Sequence, residues 1–419
     1  MASKSATSGS TQEVKLFGMP AEKGRWAFVI IGILMNLCMG TIYSWGVFRK
    51  PLQTFFAVGA TESLLPFILF LGLFGLMMPF SGKLMDKYGP KKVALFGGVL
   101  VGVGWLLGSQ SPNMMMLSAT YGVLGGIGVG FAYNSPIGVS GRWFPDKRGL
   151  AVGLTVMGFG ISPLVTAPLA NAMIGMFGPL QTLAYLGAVF IVALAVLSLP
   201  LKFPPAGWKP TGWAPKAKAV VPDLSTKEMT RSKSFGGLWT CYTIGTLAGL
   251  MAIGISSPVG QEVFALPAAT AAVLTGVFAV FNGIGRPIFG TLTDKLTPRN
   301  TAVLNFAIIA SAAASLGLFA SSGQAFLYIG AFICLWLCLG GWLAIAPTAT
   351  ATFYGTKFYG PNYGMVFTAY GAGAVIGNLL AGSLRDMLGS YVAVFFPVAG
   401  LAVVGILIAF VSLRPPKKA

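Results

Sequence analysis

The sequence predicts an all-α membrane protein: twelve transmembrane helices in two six-helix pseudo-repeats. Three observations carry this. Apolar residues make up 55% of the 419 positions and charged residues only 9%, whereas roughly 25% of a soluble domain is charged. The apolar residues come in long unbroken runs, and about 20 such residues cross a bilayer as a helix. The basic residues alternate loop by loop, as membrane topology requires.

The runs place spans at 25–48, 62–80, 93–109, 114–138, 148–172, 180–201, 235–257, 268–289, 301–320, 324–348, 363–384 and 391–412. They divide the chain into a tail over 1–24, a six-helix bundle over 25–201, a linker over 202–233, a second bundle over 234–413 and a tail over 414–419. The first tail is polar and rich in Ser and Thr, with no apolar core segment, so it does not read as a signal peptide. The linker carries Pro204, Pro205, Pro210, Pro215 and Pro222 and seven basic residues.

Of the 28 Lys and Arg, 24 fall on the side of the termini, Arg49, Lys50 and Arg385 fall on the other, and Arg286 falls within a span. That asymmetry puts both termini and the linker in the cytoplasm. The net charge of +18 is spread over these loops rather than gathered on one domain, which argues against a nucleic-acid partner. Cys38, Cys241, Cys334 and Cys338 all lie in apolar runs, where cysteine packs as a small hydrophobe. Cys334 and Cys338 are one helical turn apart, but the chain has no histidine to complete a typical metal site. Neither a disulfide, a metal nor a cofactor is expected.

The halves echo one another. Gly82, Leu84, Asp86, Lys87 and Pro90 after span 2 recur as Gly290, Leu292, Asp294, Lys295 and Pro298 after span 8, 208 residues on. Gly153 and Gly160 on span 5 recur as Gly364 and Gly371 on span 11, 211 residues on. Parallel repeats of this kind place a binding site between the halves near mid-membrane.

Arg286 is the most informative residue. An arginine near the centre of a span costs about 2.5–3.5 kcal/mol on insertion scales. No acid lies at comparable depth, since the ten acids sit at termini, in loops or at span ends. A lone guanidinium there is expected to face a water-filled cavity and to be neutralised by a mobile anion, its planar fork matching a carboxylate. The competing reading is a helix-packing arginine bonded to backbone carbonyls. Asn282, four residues earlier, shares its helix face. It either orients the arginine or the anion, or makes an interhelical hydrogen bond. Tyr43, Tyr133, Trp342, Phe367 and Tyr370 are candidates to line the cavity, against the plainer reading of lipid contact or packing. The three tyrosines carry hydroxyls that need partners when buried. Glu62 and Glu262 lie near the outer ends of spans, where a carboxylate is solvated; Glu262 is also a candidate for proton relay.

No phosphate-binding loop of the G-x-x-x-x-G-K-[ST] type is present, so ATP is not expected to drive the protein directly. An intramembrane enzyme would want a nucleophile with its base, paired carboxylates or a metal, and a sensor would want a soluble output domain. Neither is visible, which leaves a carrier of a small solute.

The stretch Gly82 to Lys92 resembles the signature of the major facilitator superfamily. Arg142-Trp-Phe-Pro-Asp146-Lys147-Arg148-Gly-Leu-Ala151 is similar to the oxalate:formate antiporter family and its monocarboxylate-transporter relatives. The resemblance implies a functional monomer in the inner membrane of a bacterium, cycling by alternating access. It implies that Arg286 binds a substrate carboxylate, and that Gly82, Asp86, Lys87, Asp294, Lys295, Asp146 and Arg148 gate the conformational cycle. Animal monocarboxylate transporters carry an aspartate where this chain has Asn282. The oxalate:formate antiporters carry a lysine where it has Tyr370. With one fixed charge, the site is expected to favour monoanions such as lactate, pyruvate or formate, taken up together with a proton. Obligatory carboxylate exchange and non-transporting carboxylate sensing are the alternatives.

Overall fold

The computed structural model describes residues 14–213, 223–355 and 357–416, and of Arg148 the backbone alone. Twelve helices among these are long and apolar enough to cross a membrane. They are span 1 Ala21–Phe56, span 2 Ala60–Tyr88, span 3 Pro90–Gly108, span 4 Met114–Trp143, span 5 Gly149–Phe177 and span 6 Pro179–Ser198. After the linker come span 7 Lys233–Glu262, span 8 Ala268–Leu296, span 9 Pro298–Ser322, span 10 Ala325–Tyr354, span 11 Tyr359–Leu388 and span 12 Val392–Ser412. Helix is the form that satisfies every backbone group within its own segment in lipid.

Each expected segment falls on one of these helices, but many helices run longer, to 30 residues for spans 4, 7, 10 and 11 and 36 for span 1. The reason is local. Beyond the apolar stretch the residues become polar, but the backbone stays helical for one or two further turns. Asp86 and Lys87 therefore lie on the last turn of span 2, and Asp294 and Lys295 on that of span 8, rather than in loops.

Burial grades the helices by position. In span 7, 89% of the apolar window is inside the protein, against 33% for spans 6 and 12 and 39% for span 9. Span 7 is thus the most enclosed, and spans 6, 9 and 12 lie outermost. The halves meet most extensively along two helix pairs, span 2 with span 11 and span 5 with span 8, and glycine makes both approaches possible. A Cβ on Gly75 would stand 2.8 Å from Gly371 Cα. One on Gly283 would stand 2.7 Å from Ile161 Cγ2.

Two spans depart from regular α-helix in their interior. Span 1 is α-helical over Trp26–Met39, tightens to 3₁₀ over Gly40–Ser44 and resumes as α-helix over Trp45–Phe56. Gly40 sits where a Cβ would come within 2.8 Å of Phe159 Cα on span 5. Span 4 contains a π-helical stretch, Ser118–Leu124. Such departures mark functional positions more often than plain helix does.

The repeat extends to backbone conformation. Span 3 starts with Pro90 after Gly89 at φ +83°, and span 9 starts with Pro298 after Thr297 at φ +139°. The same turn is thus glycine in one half and a β-branched residue in the other. Thr297 accepts a hydrogen bond from the Asn300 amide at 3.3 Å through its side chain, a partial compensation. Gly89→Ala is expected to destabilise the protein by about 1–2 kcal/mol, the cost of a Cβ in left-handed backbone. Thr297→Gly is expected to leave stability unchanged or raise it. Thermal unfolding of the purified protein in detergent reads both.

Candidate functional site

Arg286 lies on span 8 beside Asn282, and both are buried, at 7% and 0% exposure. Its Nη1 donates to the carbonyl of Val156 on span 5, in the other half. Its Nη2 donates to Asn282 Oδ1 at 3.4 Å, and its Nε is buried with no hydrogen-bond partner. None of the four ion pairs among the described residues includes it. Asn282 in turn donates from Nδ2 to the Trp336 carbonyl at 3.2 Å. The arginine therefore has a carbonyl partner, as the packing reading expects, while one donor stays idle and its charge stays unbalanced.

Gly160 permits this arrangement. A Cβ there would stand 2.6 Å from Asn282 Oδ1 and 3.0 Å from Arg286 Nη2. Its repeat partner Gly371 faces Gly72 and Gly75 across the other helix pair, and Gly364 faces Pro79. Gly153 has nothing within 4 Å of its Cβ direction. Three of the four echoed glycines thus lie where the halves touch.

Beside the arginine is an aromatic group drawn from both halves. The hydroxyls of Tyr43 and Tyr370 are hydrogen-bonded across the interface at 2.5 Å. Tyr370 stacks on Phe367 with centroids 4.9 Å apart. Phe74 is the hub, in contact with Tyr133 at 5.0 Å, Phe367 at 5.4 Å, Tyr370 at 5.6 Å and Phe159 at 5.8 Å. Phe159 also meets Tyr43 edge-on at 5.0 Å. Tyr43, Tyr133, Phe367 and Tyr370 are therefore brought together. Trp342 is not. It packs inside the second half against Phe306 at 5.1 Å and Tyr242 at 5.9 Å. The span 10 tryptophan that reaches the group is Trp336, 6.4 Å from Tyr43. Sequence reasoning missed Phe74, Phe159 and Trp336. Each sits in an almost wholly apolar helix, where nothing polar marks the inner face.

Glu262 is remote from this cluster. Arg286 lies 18 residues into span 8, roughly 27 Å along the helix axis from the end where Glu262 lies. Glu262 is not simply solvated: it pairs with Lys50 at 3.3 Å and Arg385 at 2.7 Å. Glu62 is exposed. Arg49 lies at the face away from the termini, where the charge count puts it. It is fully buried, not free at the surface, and donates to neutral oxygens of Ser63, Ala60 and Gly254.

The motif residues lie at the termini face. Asp86 pairs with Arg142 of span 4 at 2.6 Å, both largely exposed, a geometry worth at most about 1 kcal/mol. Lys87 lies over the Tyr88 ring, and Gly82 faces open space. Arg25 grips Asp146 with two bonds of 2.6 and 2.8 Å and also donates to the Trp143 carbonyl at 3.0 Å. The hydrogen bond from Arg25 holds the Asp146 carboxyl below its usual range. Asp294 and Lys295 are exposed, and among the described residues Asp294 has no ion-pair partner. The Arg148 side chain lies outside the described residues.

Two six-helix halves around a buried, unbalanced cation make the build of a secondary transporter. The chain belongs to the Major Facilitator Superfamily, whose sequence profile matches residues 29–360, and it is a transporter of that class. It is 28% identical over 369 residues to the oxalate:formate antiporter of Oxalobacter formigenes, covering 87% of this chain and 86% of that one. It is 24% identical over 422 residues to monocarboxylate transporter 12 of Mus musculus, covering 93% and 86%. Among solved structures it is similar to a bacterial homolog of the human lysosomal transporter Spinster in an inward-facing, unoccupied conformation. That likeness has a TM-score of 0.69 over 93% of this chain and 97% of that one, at 14% identity, and bears on the fold alone.

The glycine contacts make a paired test. Gly160→Ala pushes a methyl against Asn282 and Arg286 and is expected to lower solute flux and to cost about 1–3 kcal/mol of stability, as overpacking does. Gly153→Ala, facing open space, is expected to leave both unchanged. Flux into proteoliposomes and thermal unfolding in detergent check the pair.

Proposed function

We propose that the protein is a secondary carrier of small monocarboxylates of the lactate, pyruvate and formate class, working by alternating access. The observation that carries this is the state of Arg286: buried, unbalanced by any described carboxylate, and with its Nε donor idle. A carboxylate can take two parallel bonds from such a guanidinium. The aromatic residues near it offer apolar contact and the hydroxyls of Tyr43, Tyr133 and Tyr370, which suits a short organic acid. One fixed positive charge balances one carboxylate, so a dianion such as oxalate would bring an uncompensated charge into low dielectric. Similarity to proteins described as an oxalate:formate antiporter and a monocarboxylate transporter supports the same substrate class. The reading sets both termini in the cytoplasm of a bacterial cell, with the protein in the inner membrane and acting as a monomer.

Arg286→Ala is expected to abolish uptake of lactate into proteoliposomes while thermal unfolding stays near that of the parent. Arg286→Lys is expected to fail too, because an ammonium lacks the planar fork. Normal uptake by the alanine variant would remove Arg286 from the site. Normal uptake by the lysine variant alone would leave charge, not geometry, as the requirement.

Coupling follows from the same charge. The loaded site is neutral and the empty one positive, so the cycle needs a proton carried with the anion or a second anion in exchange. We favour electroneutral proton–monocarboxylate symport. Because Glu262 is held in two ion pairs, the proton is assigned to the substrate, which carries it as the neutral acid. An imposed inward proton gradient is expected to drive lactate into vesicles that hold no internal anion. Uptake that ignores the gradient and needs carboxylate-preloaded vesicles would establish exchange, the reading favoured by the resemblance to an antiporter.

A further inference from the structure

The face away from the termini carries just three basic residues, Arg49, Lys50 and Arg385. So few charges are not needed to set topology, yet all three converge on one network. Lys50 at the end of span 1 pairs with Glu262 at the end of span 7, and Arg385 of span 11 pairs with the same carboxylate. The neighbouring Asp386 places one oxygen on the Ala60 amide and the other on the Thr61 amide, each at 2.8 Å. Those amides open the 29-residue helix of span 2. Arg49 donates to the Ala60 carbonyl at 2.9 Å and, across the interface, to the Gly254 carbonyl of span 7 at 3.3 Å.

Three of these links join one half to the other: Lys50 to Glu262, Asp386 to the start of span 2, and Arg49 to Gly254. They differ in weight. Lys50 reaches Glu262 by a single 3.3 Å contact from a long, mobile side chain, and such a pair holds little. Asp386 binds the positive end of a long helix through two charge-assisted bonds. Arg49 is a fully buried cation, which needs its oxygens about it. The backbones are close enough for the links to seal the crevice. A Cβ on Gly46 would stand 3.2 Å from the Ile253 carbonyl, and one on Gly382 would stand 2.7 Å from Thr61 Cα.

We propose that this network is a latch that holds the two halves together at the face away from the termini, and that its release is the step that admits solute from that side. Asp386 and Arg49 are its main members, and Lys50 with Glu262 reinforces them. The latch acts on conformation and does not depend on which solute is carried.

The test uses the full chain in lipid nanodiscs, with Cys38, Cys241, Cys334 and Cys338 replaced. Spin labels go on cysteines at Thr54 and Ser321, exposed positions on that face in the first and second halves. Pulsed electron–electron distance measurement then reports separation of the halves. Asp386→Ala and Arg49→Gln are each expected to raise the ratio of long to short distances by about tenfold, as loss of a charge-assisted hydrogen bond does to a two-state equilibrium. Asp386 is exposed, so its variant folds even where the buried arginine's does not. An unchanged distance distribution in Asp386→Ala overturns the proposal.

Discussion

A guanidinium kept inside an apolar bundle by neutral oxygens is the constraint on which the centre of this protein is built. Arg286 reaches only the Val156 carbonyl and Asn282 Oδ1. In low dielectric such a charge is costly unless a counter-charge joins it. Asn282 is anchored to the Trp336 backbone, so it cannot freely turn to follow the arginine. Gly160 has no side chain because one would fill the space both groups occupy. Val156 belongs to the first half and Arg286 to the second. On the proposed reading, an anion that takes the guanidinium draws donors away from a contact that joins the halves. Binding and the relative position of the halves are then parts of one equilibrium, which is the physical content of alternating access.

How much of this was legible in the sequence follows from where polar residues interrupt apolar ones. The twelve helices were legible because lipid demands runs of a known length. Their ends were not, because polar turns such as Gly82 to Tyr88 continue the helix beyond those runs. Arg286 and Asn282 stood out as polar residues in an apolar helix. Phe74, Phe159 and Trp336 did not, since a helix that is apolar on every side has no hydrophobic periodicity to point inward. Trp342 could not be told from Trp336 for the same reason. The burial of Arg49 was not legible because its acceptors, the Ser63 hydroxyl and the Ala60 and Gly254 carbonyls, lie on other helices. The glycine echo was a sounder guide: Gly160, Gly364 and Gly371 each sit where the halves approach.

The two copies of the repeat keep backbone shape more faithfully than they keep charge. Gly89 and Thr297 hold corresponding left-handed turns before corresponding prolines, even though one residue is ill suited to it. Asp86 is tied to Arg142, whereas Asp294 has no described ion-pair partner. The first half adds a second clamp, Arg25 on Asp146, which ties the start of span 1 to the loop after span 4. Because Asp146 titrates below its usual range, that clamp is fully present at neutral pH and is lost only as pH falls through the lowered value. The termini-side end of the first half is therefore braced from within.

The placement of acids separates the roles of the buried cations. Acids of the protein lie at helix ends and in loops. At the face away from the termini, Glu262 supplies the negative charge for Arg385 and Lys50, Asp386 caps the start of span 2, and Arg49 is held by neutral oxygens close by. In the middle of the bundle the chain supplies no carboxylate. There the wall beside Arg286 is aromatic or amide, and the halves are linked by the arginine's bond to the Val156 carbonyl and by a hydroxyl pair that carries no charge. A carboxylate of the protein at that depth would neutralise Arg286 permanently and remove the reason for an anion to stay. Leaving the middle unbalanced while balancing the end makes the site receptive to a solute carboxylate, and it gives the closing contacts a strength that does not depend on whether that solute is present.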